Sequence, residues 1–151
     1  MTPTLEDAIV LAAEAHRGQR DRNHEPYIMH PIRVMAGLWD DDVRMAAVLH
    51  DVVEDTEVTL DDLRRRGYPE QIVAAVDALS RRKEINEPYS RYIRRVKADP
   101  LATKVKIADL RDNANLDRLP RVEAFDLKRL DRYNRALQFL AGRQDESILI
   151  D

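Results

Sequence analysis

The 151-residue chain contains no cysteine, so disulfide bridges and thiolate metal sites are both excluded. A metal, if one binds, must be held by His, Asp, Glu or water, and these ligands suit Mn, Fe, Zn, Co or Mg. Neither sign of charge dominates, because 25 Lys and Arg stand against 28 Asp and Glu, for a formal net charge of −3. This balance argues against a dedicated nucleic-acid binder, which usually carries a concentrated basic excess.

Long apolar runs are also missing from the chain. No stretch approaches the roughly 20 apolar residues that are needed to span a membrane. The first residues lack the basic start and the apolar core of a signal peptide. We therefore expect a cytoplasmic protein with no membrane partner, and the length predicts one domain over residues 1–151.

Apolar residues recur with the helical period along nearly the whole chain, and no convincing alternating strand pattern is present. Helix starts are indicated by caps or prolines at Thr4, Pro31, Asp40, Thr59, Pro69, Pro88, Pro100 and Pro120. Residues 45–53 are almost all apolar and are expected to form the body of one central helix. The sequence therefore predicts an all-α fold of seven or eight helices, packed as an orthogonal bundle.

The pair His50-Asp51 interrupts this apolar segment. A buried carboxylate must be paired, neutralised or bound to a cation, because its desolvation is costly. Glu54 and Asp55 follow one helical turn later, so a second layer of acids is expected over the first. A simpler interpretation remains open, in which an arginine pairs with Asp51 and the two later acids only mark an exposed helix end.

Two further segments place metal-ligand types against apolar surroundings. His30 lies directly before Pro31 at a predicted helix start, and Asp109 interrupts the apolar residues 105–110. Asn113 follows Asp109 by one turn. Taken singly, each is more simply explained as a core histidine or a surface aspartate. Together they complete a set of two histidines and two carboxylates that leaves coordination positions for water and substrate: His30, His50, Asp51 and Asp109.

The order His…His-Asp…Asp resembles the motif of the HD phosphohydrolase superfamily. The flanking residues 16–19, 25–31, 46–56 and 105–109 resemble the hydrolase domain of the RelA/SpoT alarmone enzymes, in particular their small, hydrolase-only members. The resemblance implies a single HD hydrolase domain without a synthetase or regulatory domain. It also implies hydrolysis of ppGpp or pppGpp at the 3′ diphosphate, releasing pyrophosphate and GDP or GTP, usually with Mn²⁺.

Residue-by-residue matching to this family assigns roles to seven positions. The implied metal ligands are His30, His50, Asp51 and Asp109. Glu54 and Asp55 match the acidic pair at the catalytic water, where Glu54 is the expected general base. Asn113 matches a position that contacts the substrate. Further candidates for contact with the nucleotide, chosen for their charge or aromatic ring, are Arg20, Arg22, Tyr27, Lys104 and Lys106.

Three departures from the family pattern bear on the substrate: the segment 81–99 is shorter than expected for the family, and two single residues differ. Asp21 stands where the alarmone hydrolases usually carry a basic residue, and His24 replaces a common glycine. An alternative interpretation is therefore an HD phosphohydrolase of another nucleotide, such as a phosphatase of NADPH or of a nucleoside phosphate. A third is a regulatory module that keeps the metal for stability, although the intact Glu54 and Asp55 argue against it.

Overall fold

The computed structural model describes residues 1–151 and contains nine α-helices, three short 3-10 helices and no β-strand. The α-helices are α1 (Leu5–Ala15), α2 (Met29–Ala36), α3 (Asp41–Leu49), α4 (Val52–Asp55), α5 (Leu60–Arg65), α6 (Glu70–Leu79), α7 (Tyr89–Lys97), α8 (Pro100–Asn113) and α9 (Ala124–Leu140). The 3-10 helices are Lys83–Ile85, Leu116–Arg118 and Glu146–Ile148. The predicted all-α class is confirmed. None of the helices combines the length and the apolarity needed to cross a membrane.

Local capping chemistry explains where several helices begin. The Thr4 side chain accepts a hydrogen bond from the Asp7 amide at 3.2 Å, and Asp7 accepts one from the Thr4 amide at 2.8 Å. This reciprocal pair is a capping box, which satisfies amides that have no partner inside the helix. Asp99 caps α8 in a similar way, and Pro100 occupies its first turn, where no amide hydrogen is needed.

Helix α3 lies at the centre of the fold. It packs against α1, α2, α6 and α8, and the side chains of residues 46–49 are fully buried. Helices α7 and α9 pack in turn against α8. The carboxyl end of α3, the amino end of α2 and the middle of α8 therefore meet, and they carry the predicted metal ligands.

The predicted continuous helix through residues 45–53 is wrong, because α3 ends at Leu49 and α4 begins at Val52. At the break, the carbonyl of Ala47 accepts hydrogen bonds from the amide of His50, at 3.3 Å, and from its ring Nδ1, at 2.6 Å. Apolar periodicity does not reveal such a break, since both pieces remain buried on the same side. The extra piece raises the number of helices above the seven or eight expected.

Candidate active site

The four predicted metal ligands lie together. The Nε2 atom of His30 is 2.9 Å from Asp109 Oδ1, and the Nε2 atom of His50 is 3.4 Å from the same oxygen. Asp51 Oδ2 lies 3.1 Å from His50 Nε2 and 3.8 Å from His30 Nε2. Two imidazole nitrogens and two carboxylates from three different helical segments therefore converge in one buried place.

The remaining ring nitrogens are both held by acceptors. His30 Nδ1 lies 2.6 Å from Asp112 Oδ2, and His50 Nδ1 donates to the Ala47 carbonyl. Partners of this kind fix the orientation of metal-binding histidines and leave Nε2 free for the ion. His50 Nε2 is buried, and although it lies 3.1 Å from Asp51 Oδ2, the geometry of that contact is too poor for a hydrogen bond. An unsatisfied buried nitrogen is costly, and a divalent cation beside it would remove that cost. These residues fit a metal ion.

Asp112 was not predicted from the sequence. Its carboxylate accepts hydrogen bonds from Arg33 Nε at 2.9 Å and from Arg118 Nη1 at 3.1 Å. Burial opposes ionisation, but the bonds from His30 and Arg33 outweigh it and lower the pKa of Asp112 to about 2. A usable signal was present, because Asp112 follows Asp109 by three residues and so lies on the same face of α8.

Charged groups in this cluster face groups of the opposite charge. Burial disfavours protonation of His50, but the carboxylates of Asp51 and Asp109 outweigh it and raise the pKa of this imidazole. Burial likewise opposes ionisation of Asp109, yet Lys106 and His50 lower the pKa of its carboxyl well below the ordinary value. A divalent cation would take over the role of these protons, so metal binding should release protons.

The two predicted catalytic acids follow the break in the helix. One carboxylate oxygen each of Asp51, Glu54 and Asp55 lies within 4.8 Å of the others. Glu54 Oε1 accepts a hydrogen bond from the amide of Arg81 at 2.6 Å, and Lys83 Nζ lies 2.9 Å from Asp55 Oδ1. Burial raises the pKa of Glu54 in spite of this hydrogen bond. Glu54 is therefore a carboxylate with increased affinity for a proton beside the metal candidates.

A cavity of about 590 Å³ adjoins the cluster. Five of the six predicted substrate contacts line it: Arg20, Arg22, Tyr27, Lys106 and Asn113. The sixth, Lys104, is exposed outside the cavity. Lys104 precedes Lys106 by two residues, or about 200° around a helix, so the two side chains leave α8 on different sides. Lys106 Nζ instead binds Asp109 Oδ2 at 2.8 Å.

Besides Lys106, three of these lining residues already have partners in the protein. The Tyr27 hydroxyl donates to Asp51 Oδ2, and Asn113 Nδ2 donates to Asp109 Oδ1 at 3.1 Å. Arg22 forms an ion pair with Asp126, which joins the loop of residues 19–28 to α9. Tyr27 and Asn113 therefore hold the carboxylates of two candidate metal ligands in addition to lining the cavity.

The two single-residue departures from the family pattern both lie in the loop of residues 19–28. Asp21 Oδ1 accepts hydrogen bonds from the amides of Asn23, at 2.8 Å, and Glu25, at 3.0 Å, and so closes a turn. His24 adopts a positive φ of 61°, a conformation that glycine accepts more readily than other residues. The geometry explains why a glycine suits this position, and it gives Asp21 a role in holding the loop at the edge of the cavity.

Two other residues that line the cavity were not predicted from the sequence. Tyr89 is the first residue of α7, and Arg132 lies in the middle of α9. The guanidinium carbon of Arg132 is 4.3 Å from the centre of the Tyr89 ring. The hydroxyl of Tyr89 and the Nε of Arg132 are both buried without a hydrogen-bond partner.

Sequence comparison relates the chain to known proteins. A model of the HD domain family matches residues 8–115. A GTP pyrophosphokinase of Streptomyces coelicolor is 33% identical over 116 residues, which make up 70% of this chain and 14% of that protein. A guanosine-3′,5′-bis(diphosphate) 3′-pyrophosphohydrolase of Aquifex aeolicus is 30% identical over 119 residues, 72% of this chain and 17% of that protein. The matches therefore span about 14–17% of the length of these curated relatives.

Structure comparison finds a relative of similar size. It is a solved structure described as a metazoan ortholog of SpoT that hydrolyzes ppGpp and plays a role in starvation responses. The two structures superimpose with a TM-score of 0.76 and 26% sequence identity. The likeness covers 96% of this chain and 90% of the other, so it includes nearly every helix described above.

Proposed function

Because the chain belongs to the HD domain family, we propose that it is a metal-dependent phosphohydrolase that removes the 3′ diphosphate of ppGpp or pppGpp. The products are pyrophosphate and GDP or GTP. The observation that carries the proposal is the convergence of two imidazole nitrogens and two carboxylates beside a cavity that contains arginines without ion pairs. Those arginines are Arg20, Arg81, Arg129 and Arg132. The reported activity of the structural relative, which this chain covers almost completely, supports the same substrate.

The metal ligands in this proposal are the four predicted residues, His30, His50, Asp51 and Asp109. A set of nitrogen and oxygen donors without sulfur suits Mn²⁺, and we propose Mn²⁺ as the resident ion. When bound, the ion supplies Lewis-acid polarisation of a phosphoryl oxygen. The Nε2 atom of His50 supports the assignment, since it is a buried nitrogen that the protein leaves without a hydrogen bond of good geometry.

Glu54 acts as the general base. Its carboxylate accepts a proton from the attacking water, whose oxygen bonds to the phosphorus next to the 3′ oxygen of the ribose. The bond between that phosphorus and the 3′ oxygen breaks, and the ribose oxygen takes up a proton. A raised pKa suits this role, because it brings the proton affinity of Glu54 closer to neutral pH. The Arg81 amide fixes Glu54, and Asp55, paired with Lys83, orients the water.

Substrate contacts come from the residues that line the cavity. Arg20 has no ion pair and is free to bind a phosphate, whereas Arg22 must first leave Asp126. Lys106 is tied to Asp109, so it contributes positive charge beside the metal ligands. Tyr27 and Asn113 contact the nucleotide from positions where they also hold candidate ligands. Lys104 is left out of the substrate contacts, because its side chain is exposed away from the cavity.

The test is hydrolysis of ppGpp by the purified protein with Mn²⁺, with pyrophosphate and nucleotide products measured together. Pyrophosphate release that requires metal and disappears in Asp51→Ala is expected. Glu54→Gln should lower kcat by about 10²–10⁴-fold, the usual contribution of a general base. Orthophosphate release from another nucleotide, without turnover of ppGpp, would instead assign the chain to a different phosphohydrolase reaction. Metal binding with no turnover of any nucleotide would indicate a regulatory module.

A further inference from the structure

One wall of the cavity, next to the candidate metal ligands, is formed by Tyr92 and Tyr89. Lys106 Nζ, which binds Asp109, lies 4.9 Å from the centre of the Tyr92 ring. The Tyr92 and Tyr89 ring centres are 6.1 Å apart, and Arg132 stacks over Tyr89. Tyr89 and Arg132 are therefore connected to the metal candidates by direct packing, yet they contact none of the four proposed ligands.

Two hydrogen-bond donors on this wall have no acceptor. Tyr89 is only 5% exposed, and its hydroxyl is buried without a partner, as is the Nε of Arg132. Buried donors in folded proteins are almost always satisfied, because an unsatisfied one loses its bond to water and gains nothing in exchange. A pair of such donors at one place in a cavity indicates a ligand that offers oxygen acceptors.

No salt bridge pairs the positive charge at this wall with a carboxylate. Arg132 has no ion pair, and the guanidinium of Arg81, 6.0 Å from the Tyr89 ring centre, bonds only to the carbonyl oxygen of Glu87. The metal candidates present the reverse situation, since acidic groups predominate there. The cavity is thus acidic where a cation fits and basic beside Tyr89, which matches a ligand whose phosphates reach both places.

We propose that Tyr89, Arg81 and Arg132 form a second, diphosphate-binding subsite that is separate from the metal ligands. The identity of the ligand rests on the proposed function, because ppGpp carries one diphosphate on its 3′ oxygen and another on its 5′ oxygen. The subsite holds either the diphosphate that departs or the one that stays on the nucleotide product. Inorganic pyrophosphate and GDP represent these two groups separately.

The experiment is calorimetric titration of the metal-loaded protein with inorganic pyrophosphate and, separately, with GDP, at a fixed concentration of free Mn²⁺. Arg132→Gln should weaken the binding of one of the two ligands by at least about tenfold, since it removes a charge-assisted hydrogen bond. Tyr89→Phe should weaken the same ligand by less. Loss of pyrophosphate binding assigns the departing diphosphate, and loss of GDP binding assigns the remaining one.

Lys128→Gln is the matched control, because Lys128 lies on the same helix as Arg132 and is exposed outside the cavity. It makes the same change of charge and should bind both ligands as the wild type does. Tyr89→Phe should melt no lower than the wild type, because the hydroxyl that it removes has no partner. Unchanged binding of both ligands to Arg132→Gln and Tyr89→Phe would overturn the proposal.

Binding is measured without turnover, so this result is independent of the hydrolysis assay. If the wild type does not hydrolyse ppGpp but Arg132→Gln still weakens pyrophosphate binding, the subsite is supported and the proposed function is wrong. If the wild type releases pyrophosphate from ppGpp, but wild type and variants bind pyrophosphate and GDP equally well, the proposed function is supported and the subsite is wrong.

Discussion

Two clusters of buried charge in this protein differ in how completely their polar atoms are paired. Glu87 is 1% exposed, and its carboxylate accepts hydrogen bonds from Arg95 Nη2 at 2.9 Å and from the Arg82 amide at 3.0 Å. Arg95 also donates to the carbonyl of Ser80 at 3.0 Å. Every charged group there has protein partners, and the cluster joins the end of α6 to α7.

The second cluster, the cavity cluster, consists of the candidate metal ligands with Tyr89 and Arg132, and its polar atoms are paired less completely. His50 Nε2, Tyr89 Oη and Arg132 Nε are buried without hydrogen-bond partners. A fold gains nothing from such atoms, because the cost of removing them from water is not recovered. The Glu87 cluster therefore stabilises the fold, whereas the unpaired atoms at the cavity are the ones that we propose to bind groups from outside.

The largest expected effect is a loss of stability when the fully paired cluster around Glu87 is disrupted. Glu87→Ala should lower the free energy of unfolding by about 2–3 kcal/mol, because it removes the acceptor of hydrogen bonds from a charged guanidinium and from a buried amide. Urea denaturation measures the change. Glu84→Ala, at an exposed position of the neighbouring 3-10 helix, is the control and should change stability by less than about 0.5 kcal/mol. Equal stabilities of the two variants would remove the contrast between the clusters.

The next effect tests whether Asp112 is needed to orient the candidate metal ligand His30. Asp112→Asn should lower kcat/KM for ppGpp by about 10–100-fold and weaken Mn²⁺ binding to a similar degree, since the carboxylate orients His30 through Nδ1. Steady-state rates and a metal titration measure the two quantities. Asp117→Asn makes the same substitution at an exposed position nearby and should leave both unchanged. Normal metal affinity in Asp112→Asn would show that His30 needs no carboxylate partner.

The smallest effect is the pH dependence of the stability that Glu87 contributes. Hydrogen bonding to Arg95 holds the pKa of Glu87 below its ordinary value of 4.5. A depressed pKa in the folded state means that the stabilisation is complete above pH 4.5 and is lost as the pH falls through the folded value. Denaturation at a series of pH values between about 6 and 3 should therefore show a steeper acid loss in the wild type than in Glu87→Gln. Parallel curves would contradict the claim that the ionised Glu87 carboxylate stabilises the folded state.

Much of the candidate site was accessible from the sequence. His50, Asp51 and Asp109 interrupt apolar runs, and the cost of burying an unpaired carboxylate is a general reason to expect them together. His30 could be added because its position before Pro31 fixes it at a helix start. The structure does bring these four residues together, and their role as metal ligands remains a prediction for the metal titration to test.

Other parts could not be obtained from local patterns. The break between α3 and α4 depends on the Ala47 carbonyl bonding to the His50 ring, and the periodicity is the same with or without it. Lys104 and Lys106 look equivalent in the sequence, yet their different directions from α8 bury one and expose the other. Arg132 has the appearance of an ordinary surface charge on α9 until Tyr89 is placed beneath it.

The sequence by itself determined the helical class, most of the helix starts and the residues from which a metal site could be built. These features depend on the spacing of apolar residues, on capping and on the cost of burying charge, all of which act within or near one segment. Only the tertiary structure decided which buried atoms have partners. Tyr89 and Arg132 belong to different helices, and whether their donors are satisfied depends on every group that packs around them.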